Sequence, residues 1–264
     1  IVLTIILILV LYYIYLSNNI YFVNVKNINS VFKSKNIQDY LKLLNKSEYK
    51  KRMNSNKYRT YEDNCINFTN KEKIHLKMII KNIKSKINRY RIKKSEWNII
   101  KTRNNLEYGR PFTLDRYIFI PEGKIYDNNI EETLLHEFIH IDQRYNQLKY
   151  NNLYEKYLDW YRLDNIKESY FIKNNKIINP DGVDNNWYFH YKGNKIIPYL
   201  IYYNNDYNIE YYILEEDKIE KKYENEEEIR EYLVNKYNIN ENYYHPNEII
   251  TTILSKYIIN NNKI

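Results

Sequence analysis

Alanine is absent from all 264 residues, and cysteine occurs once, at Cys65. A lone thiol excludes an internal disulfide scaffold and a cysteine-rich zinc site, so any bound metal must be held by histidines and carboxylates. Internal repeats are absent as well. In place of alanine the chain has an excess of Ile, Asn, Lys and Tyr, with 32 tyrosines alone. That bias is the imprint of an AT-rich genome, and it makes lysine and asparagine counts weak indicators of function. The 44% of apolar residues suffice to bury a core, which argues against wholesale disorder. At about 100 to 200 residues per domain, the length suits one sizeable domain with appendages.

Charge is unevenly spread. Residues 1–110 carry 23 Lys and Arg against 7 Asp and Glu, whereas residues 111–264 carry 18 against 26. A formal charge of +8 thus conceals a basic first part and an acidic remainder, which points to different partners for the two.

Ile1 to Leu16 reads IVLTIILILVLYYIYL, without a charged residue. At about 1.5 Å per residue such a helix spans about 24 Å, a little short of the ~30 Å hydrocarbon core. Tyr12, Tyr13 and Tyr15 cluster at its end, where amphipathic rings favour the membrane interface. The expectation is a transmembrane anchor over residues 1–24. A cleaved signal peptide and a buried core helix are the alternatives, and no small-residue cleavage site follows to favour the first. By the positive-inside rule, Lys26, Lys33 and Lys35 lead to the expectation that the remainder lies on the cytosolic side of the membrane. Residues 25–66 read as a basic, solvated linker with a short helix near Ile37 to Leu44.

From Thr69, a suitable N-cap, residues 70–92 have helical periodicity. Leu76, Ile79, Ile80, Ile83 and Ile87 share one face, and Lys77, Lys81, Lys84 and Lys86 lie elsewhere. Trp97–Thr102 and Arg116–Ile120 read as strands on either side of a Gly109-Arg110-Pro111 turn. Residues 129–146 read as a helix with Glu131 and Glu132 in its first turns and Ile130, Leu134, Phe138 and Ile141 on one stripe. Residues 154–166 give a weaker helical pattern, 187–216 alternate as strands, and helices are expected over 224–237 and from Pro246 to about 259.

The helix over 129–146 carries His136-Glu137-Phe138-Ile139-His140, an H-E-x-x-H pattern. Histidines four residues apart stand one turn apart on one face, where both imidazoles can bind one zinc ion, with Glu137 beside them to act as base on a zinc-bound water. Composition alone predicts about 0.008 such matches in a chain of this length. The competing reading is two surface histidines around an ordinary helical glutamate.

In this motif the sequence resembles the zincin metallopeptidases. The wording ETLLHEFIHIDQR, a later NPDG and a C-terminal HPNE are also similar to zincin-like proteins of large DNA viruses. The metzincin branch is excluded, because its glycine and third histidine would fall at Gln143 and Asn146. The gluzincin branch takes a later glutamate, commonly within an Asn-Glu pair, as third ligand, and the resemblance places this at Glu248 after Asn247. The distance from His140 is long, and the aspartate that thermolysin-like members place four residues after the ligand is Thr252 here. Glu248 also suits the first turn of a helix begun by Pro246 without any metal. His245 is the rival ligand, or a donor to the developing oxyanion, a role open also to Tyr243, Tyr244 and His190. Asp181, Asp184 and His190 stand behind as ligands.

These readings make the chain an α+β protein, with a zincin-like catalytic domain over 67–264 tethered to a membrane. The expected activity is zinc-dependent hydrolysis of peptide bonds in a peptide or protein substrate, with His136, His140 and Glu248 as ligands and Glu137 and His245 as catalytic residues. By family analogy Tyr117 to Ile120 would pair with extended substrate. The alternatives are a catalytically silent zinc-binding membrane or virion protein, and a nucleic-acid-binding protein using the basic helix, although nucleic acid is not the expected partner. The Cys65 thiolate is a further candidate to cap the metal.

Overall fold

The computed structural model describes residues 19–44, 46–55, 57–87, 96–182, 186–203, 206–216, 218–240 and 244–260. The chain divides into two compact units, residues 1–142 with 255–264, and residues 143–254. Both mix helices with a five-stranded sheet, so the architecture is α+β.

The first unit contains, in chain order, β1 (Ile20–Phe22), α1 (Ile28–Phe32), α2 (Lys35–Leu43), α3 (Lys46–Met53), β2 (Cys65–Ile66), α4 (Asn70–Ile87), β3 (Trp97–Thr102), β4 (Phe112–Leu114), β5 (Tyr117–Pro121) and most of α5 (Ile130–Tyr145). Strand β3 is central and buried along its whole length. It pairs in parallel with β1 and β5, and β4 closes the far side antiparallel to β5. Helix α4 starts as its sequence implies. The Thr69 hydroxyl accepts from Glu72 N at 3.3 Å and the Glu72 carboxylate accepts from Thr69 N at 2.7 Å, a reciprocal cap. Leu76, Ile80, Ile83 and Ile87 are then buried as one stripe. In α5 the stripe of Ile130, Leu134, Phe138 and Ile141 is buried, and the Phe138 ring stacks on Trp97 of β3 with centroids 4.2 Å apart.

Three expectations are corrected here. Residues 1–18 of the expected anchor lie outside the described residues, and the described part of the 1–24 segment forms β1, whose backbone groups pair with β3. Among the described residues no helix is long and apolar enough to cross a membrane, so the single-pass anchor and the membrane localisation are not supported. Residues 25–66 are no solvated linker: Ile28, Val31, Phe32, Ile37, Tyr40, Met53 and Tyr61 are buried, and β2 pairs with β3. Apolar residues three or four apart within a Lys- and Asn-rich background bury one face of short helices. Strand β5 lies between β3 and β4, so Tyr117 to Phe119 are paired on both sides, and the expected run from Tyr117 to Ile120 is not an open edge for an extended peptide.

A buried polar network ties this N-terminal segment down. Arg52 on α3 pairs with Glu107 at 2.7 Å and donates to the Tyr40 hydroxyl at 2.8 Å, while the Tyr40 and Tyr61 hydroxyls donate to Glu107. Burial opposes the Arg52 charge, yet Glu107, with Tyr40, Tyr61 and Glu48 behind it, together more than offset this and hold the guanidinium above its ordinary value. Glu107, Tyr108 and Gly109 adopt φ of 47°, 58° and 70° in succession, a left-handed run that costs energy at its first two positions. At the third, a Cβ would stand 2.6 Å from the Asn104 carbonyl, so only glycine fits.

The second unit begins in the last turn of α5. It contains α6 (Gln147–Leu153), β6 (Trp160–Arg162), α7 (Tyr170–Asn175), β7 (Trp187–Tyr191), β8 (Asn194–Tyr203), β9 (Asp206–Glu215), β10 (Lys218–Lys222), α8 (Glu226–Tyr237) and most of α9 (Pro246–Asn260). The helix expected over 154–166 is instead one π turn, Tyr154–Leu158, followed by β6. All strands pair antiparallel in the order β10-β9-β8-β7-β6. Alternation separates the faces: Trp187, Phe189, Ile196, Tyr211 and Ile213 pack with Ile229, Leu233, Ile249 and Ile250 of α8 and α9, while Ile197, Tyr199, Ile201 and Tyr212 pack around Ile172 of α7.

Arg52→Ala leaves the Glu107 carboxylate buried without its cation and should cost about 3–5 kcal/mol in urea unfolding. Glu72 supplies a pH test. Burial raises its carboxyl, but the Lys101 ammonium at 2.8 Å and the Thr69 cap more than reverse this and hold it below the ordinary value. Its contribution is present above the unfolded-state carboxylate range and fades as pH falls through the lowered native value. Glu72→Gln and native protein should therefore differ in stability near neutrality and converge at about pH 2.

Candidate metal centre

Helix geometry decides where the motif points. Phe138 is turned about 200° from His136, so with Phe138 stacked on the sheet the two histidines project from the opposite side of α5. His140 is fully buried, His136 is half-buried, and their Nε2 atoms are 3.0 Å apart. Two donors bound to one tetrahedral ion at about 2.0–2.1 Å stand about 3.3 Å from each other, so the rings hold nearly the spacing that an ion needs. A carboxylate oxygen of buried Glu248 completes the group, and the three donor atoms all lie within 4.8 Å of one another. Two imidazoles and one carboxylate, with two of the three residues buried, can hold a metal ion.

The same helical stripe continues past the histidines. Gln143 donates through Nε2 to the Asn247 carbonyl at 2.9 Å, and the Thr251 hydroxyl donates to that carbonyl at 2.7 Å. Arg144 donates to the Pro180 and Asp181 carbonyls at 3.1 and 3.4 Å. Its targets belong to the Asn179-Pro180-Asp181-Gly182 turn, whose Asn179 amide donates to Glu248 Oε1 at 2.7 Å and to the Tyr244 hydroxyl at 3.1 Å. Two short sequences far apart in the chain, NPDG and HPNE, thus meet around the Glu248 carboxylate. Tyr154 lies close enough to respond to it: burial first, and the Glu248 charge second, push its phenol upward, so it stays protonated. Tyr154 also lines a pocket with Gln143, Arg162, Asp181, Trp187 and Asn247.

His245 is buried, and its Nδ1 accepts from Asn247 N at 3.1 Å. A neutral imidazole that accepts at Nδ1 carries its proton on Nε2, so His245 is set as a donor, and it lies outside the donor group. The other candidates separate from the group for identifiable reasons. His190 is exposed on β7 beside the Tyr161 and Tyr188 rings, on the face opposite to the one that packs on α9. Asp181 is half-buried in the turn, and Asp184 and Tyr243 lie outside the described residues. Cys65 is buried on β2 with its thiol donating to the Tyr61 carbonyl, and burial pushes that thiol up, away from the thiolate a metal cap requires. The sequence does not reveal the contacts of Gln143 and Asn179 around the site, because each is made with a residue more than 60 positions away.

His136→Ala and His140→Ala should each abolish stoichiometric metal, and Glu248→Ala should weaken binding by orders of magnitude, as read by metal analysis after dialysis. His245→Ala should keep its metal. No protein-family model matches the chain, and neither a curated protein nor a solved structure matches it, so the case for this centre rests on the geometry of its donors.

Proposed function

We propose that the protein is a zinc-dependent peptidase of zincin type, with zinc held by His136, His140 and Glu248. The observation that carries this reading is the meeting of the H-E-x-x-H histidines with a glutamate 108 positions further on, within 4.8 Å. The nitrogen and oxygen donor set suits zinc, and three protein ligands leave a position open. When bound, zinc supplies Lewis acidity that polarises a peptide carbonyl and lowers the pKa of water.

The remaining chemistry belongs to the chain. Glu137 follows His136 directly and is buried, and it accepts the proton of the attacking water and passes it to the departing amine. His245, fixed with its proton on Nε2, donates to the oxyanion that develops on the carbonyl. Because β5 is internal, an extended substrate would add to β4, the outermost strand on that side of the sheet. The nucleic-acid alternative loses ground on α4. Lys86 is paired with Glu131 at 2.9 Å, which engages one of the cations on the face that would meet phosphate.

Glu137→Gln should lower peptide hydrolysis by about 10²–10⁴-fold and leave zinc content unchanged, because the ligands remain and the base is gone. Wild-type protein that holds stoichiometric zinc yet cleaves nothing in a degenerate peptide library would instead establish the silent metal-binding alternative.

A further inference from the structure

We infer that Asn179 is the positioning residue of the third ligand, fixing Glu248 as a carboxylate that gives one oxygen to an amide and presents the other to the metal. This rests on the reading that His136, His140 and Glu248 hold a metal ion.

Every polar atom of the Asn179 side chain is committed. Nδ2 donates to Glu248 Oε1 at 2.7 Å and to the Tyr244 hydroxyl at 3.1 Å, and Oδ1 accepts from Asp181 N at 3.0 Å. A flipped amide would set its oxygen against the Glu248 carboxylate and lose the bond to Asp181 N, so one orientation is selected. The turn is in turn held by Arg144, one helical turn beyond His140, through the Pro180 and Asp181 carbonyls. Its last residue has no side chain to keep it away: a Cβ on Gly182 would come within 2.6 Å of Asn247 Nδ2. Helix α5 therefore supplies two ligands and, through Arg144, Asn179 and one hydrogen bond, governs the attitude of the third.

The chemistry of the amide matters. A lysine or arginine at this place would neutralise the carboxylate and compete with a cation for it. A neutral N–H donor orients the carboxylate and leaves its charge for the metal. With Oε1 engaged, ligation through a single oxygen is favoured over two-oxygen ligation, which keeps the coordination number low and a position open for substrate chemistry.

The test uses the full chain, with zinc affinity measured by chelator competition and the visible absorption of the cobalt-substituted protein recorded alongside. Asn179→Ala removes the donor. Asn179→Asp also removes it but keeps an oxygen to accept from Asp181 N, so the turn survives. Both variants should bind zinc about 10–100-fold more weakly than wild type. Their cobalt bands should weaken as the released carboxylate turns to two-oxygen ligation and the coordination number rises. Far-UV circular dichroism of both metal-free variants should match wild type, which separates loss of the donor from loss of the fold. Unchanged zinc affinity and an unchanged cobalt spectrum in Asn179→Asp, with wild type binding metal normally, would overturn this inference alone. Wild-type protein that binds neither zinc nor cobalt would overturn the metal reading and this inference with it.

Discussion

The stacking of Phe138 on Trp97 is the contact on which the candidate centre depends. An α-helix offers its residues in fixed angular order, so anchoring one side chain against the sheet sets the direction of all the others. With Phe138 and the flanking Leu134 and Ile141 buried, His136, His140, Gln143 and Arg144 are left on the other flank in a single row. Two of the four can ligate, and the other two hold the pieces that carry and orient the third ligand. The close interplanar angle of 5° between the rings leaves little freedom to rotate the helix about its axis.

Glu248 illustrates how a structural preference and a chemical role can share one residue. In the first turn of α9 a carboxylate is favoured by unsatisfied N–H groups and the helix dipole, with or without a metal. That same field draws electron density away from the carboxylate and would weaken it as a ligand. A neutral amide at Oε1, rather than a second cation, adds the least to that withdrawal. In the sequence Glu248 is the favoured third ligand and the helix start the competing reading, since Pro-Asn-Glu suits both. In the structure a Glu248 carboxylate oxygen lies within 4.8 Å of the two imidazole nitrogens, where it could also help to hold a metal ion.

Legibility from sequence followed the range of the forces involved. Helices α4, α5, α8 and α9 and strands β3 and β5 rest on periodicity and on caps within three or four residues, and they appear where the pattern puts them. Residues 25–66 were misread because compositional bias surrounds each buried side chain with Lys and Asn, and only the i, i+3 spacing of Ile28 and Val31 or Ile37 and Tyr40 betrays a buried face. The helical pattern over 154–166 failed for the opposite reason: Trp160 meets Phe189 across a strand pair, a tertiary contact that overrides local propensity.

Within the centre, the histidines were readable because a helix encodes their separation in the sequence. A carboxylate partner for Glu248 at the helical spacing would fall at position 252, which is Thr252. Thr252 is buried four residues on, whereas the amide that contacts the carboxylate arrives from a turn 69 positions earlier. Such a partner leaves no periodic trace. It is specified by the turn that Asn-Pro-Asp-Gly imposes on the backbone, and by Arg144, which holds that turn through main-chain carbonyls that any sequence would supply. An aspartate after the ligand acts within one rigid helix, but an asparagine on a separate turn can orient the carboxylate only while that turn is held. The support for the third ligand therefore depends on α5 reaching one full turn past His140, to Arg144, a length of helix that the H-E-x-x-H pattern itself does not require.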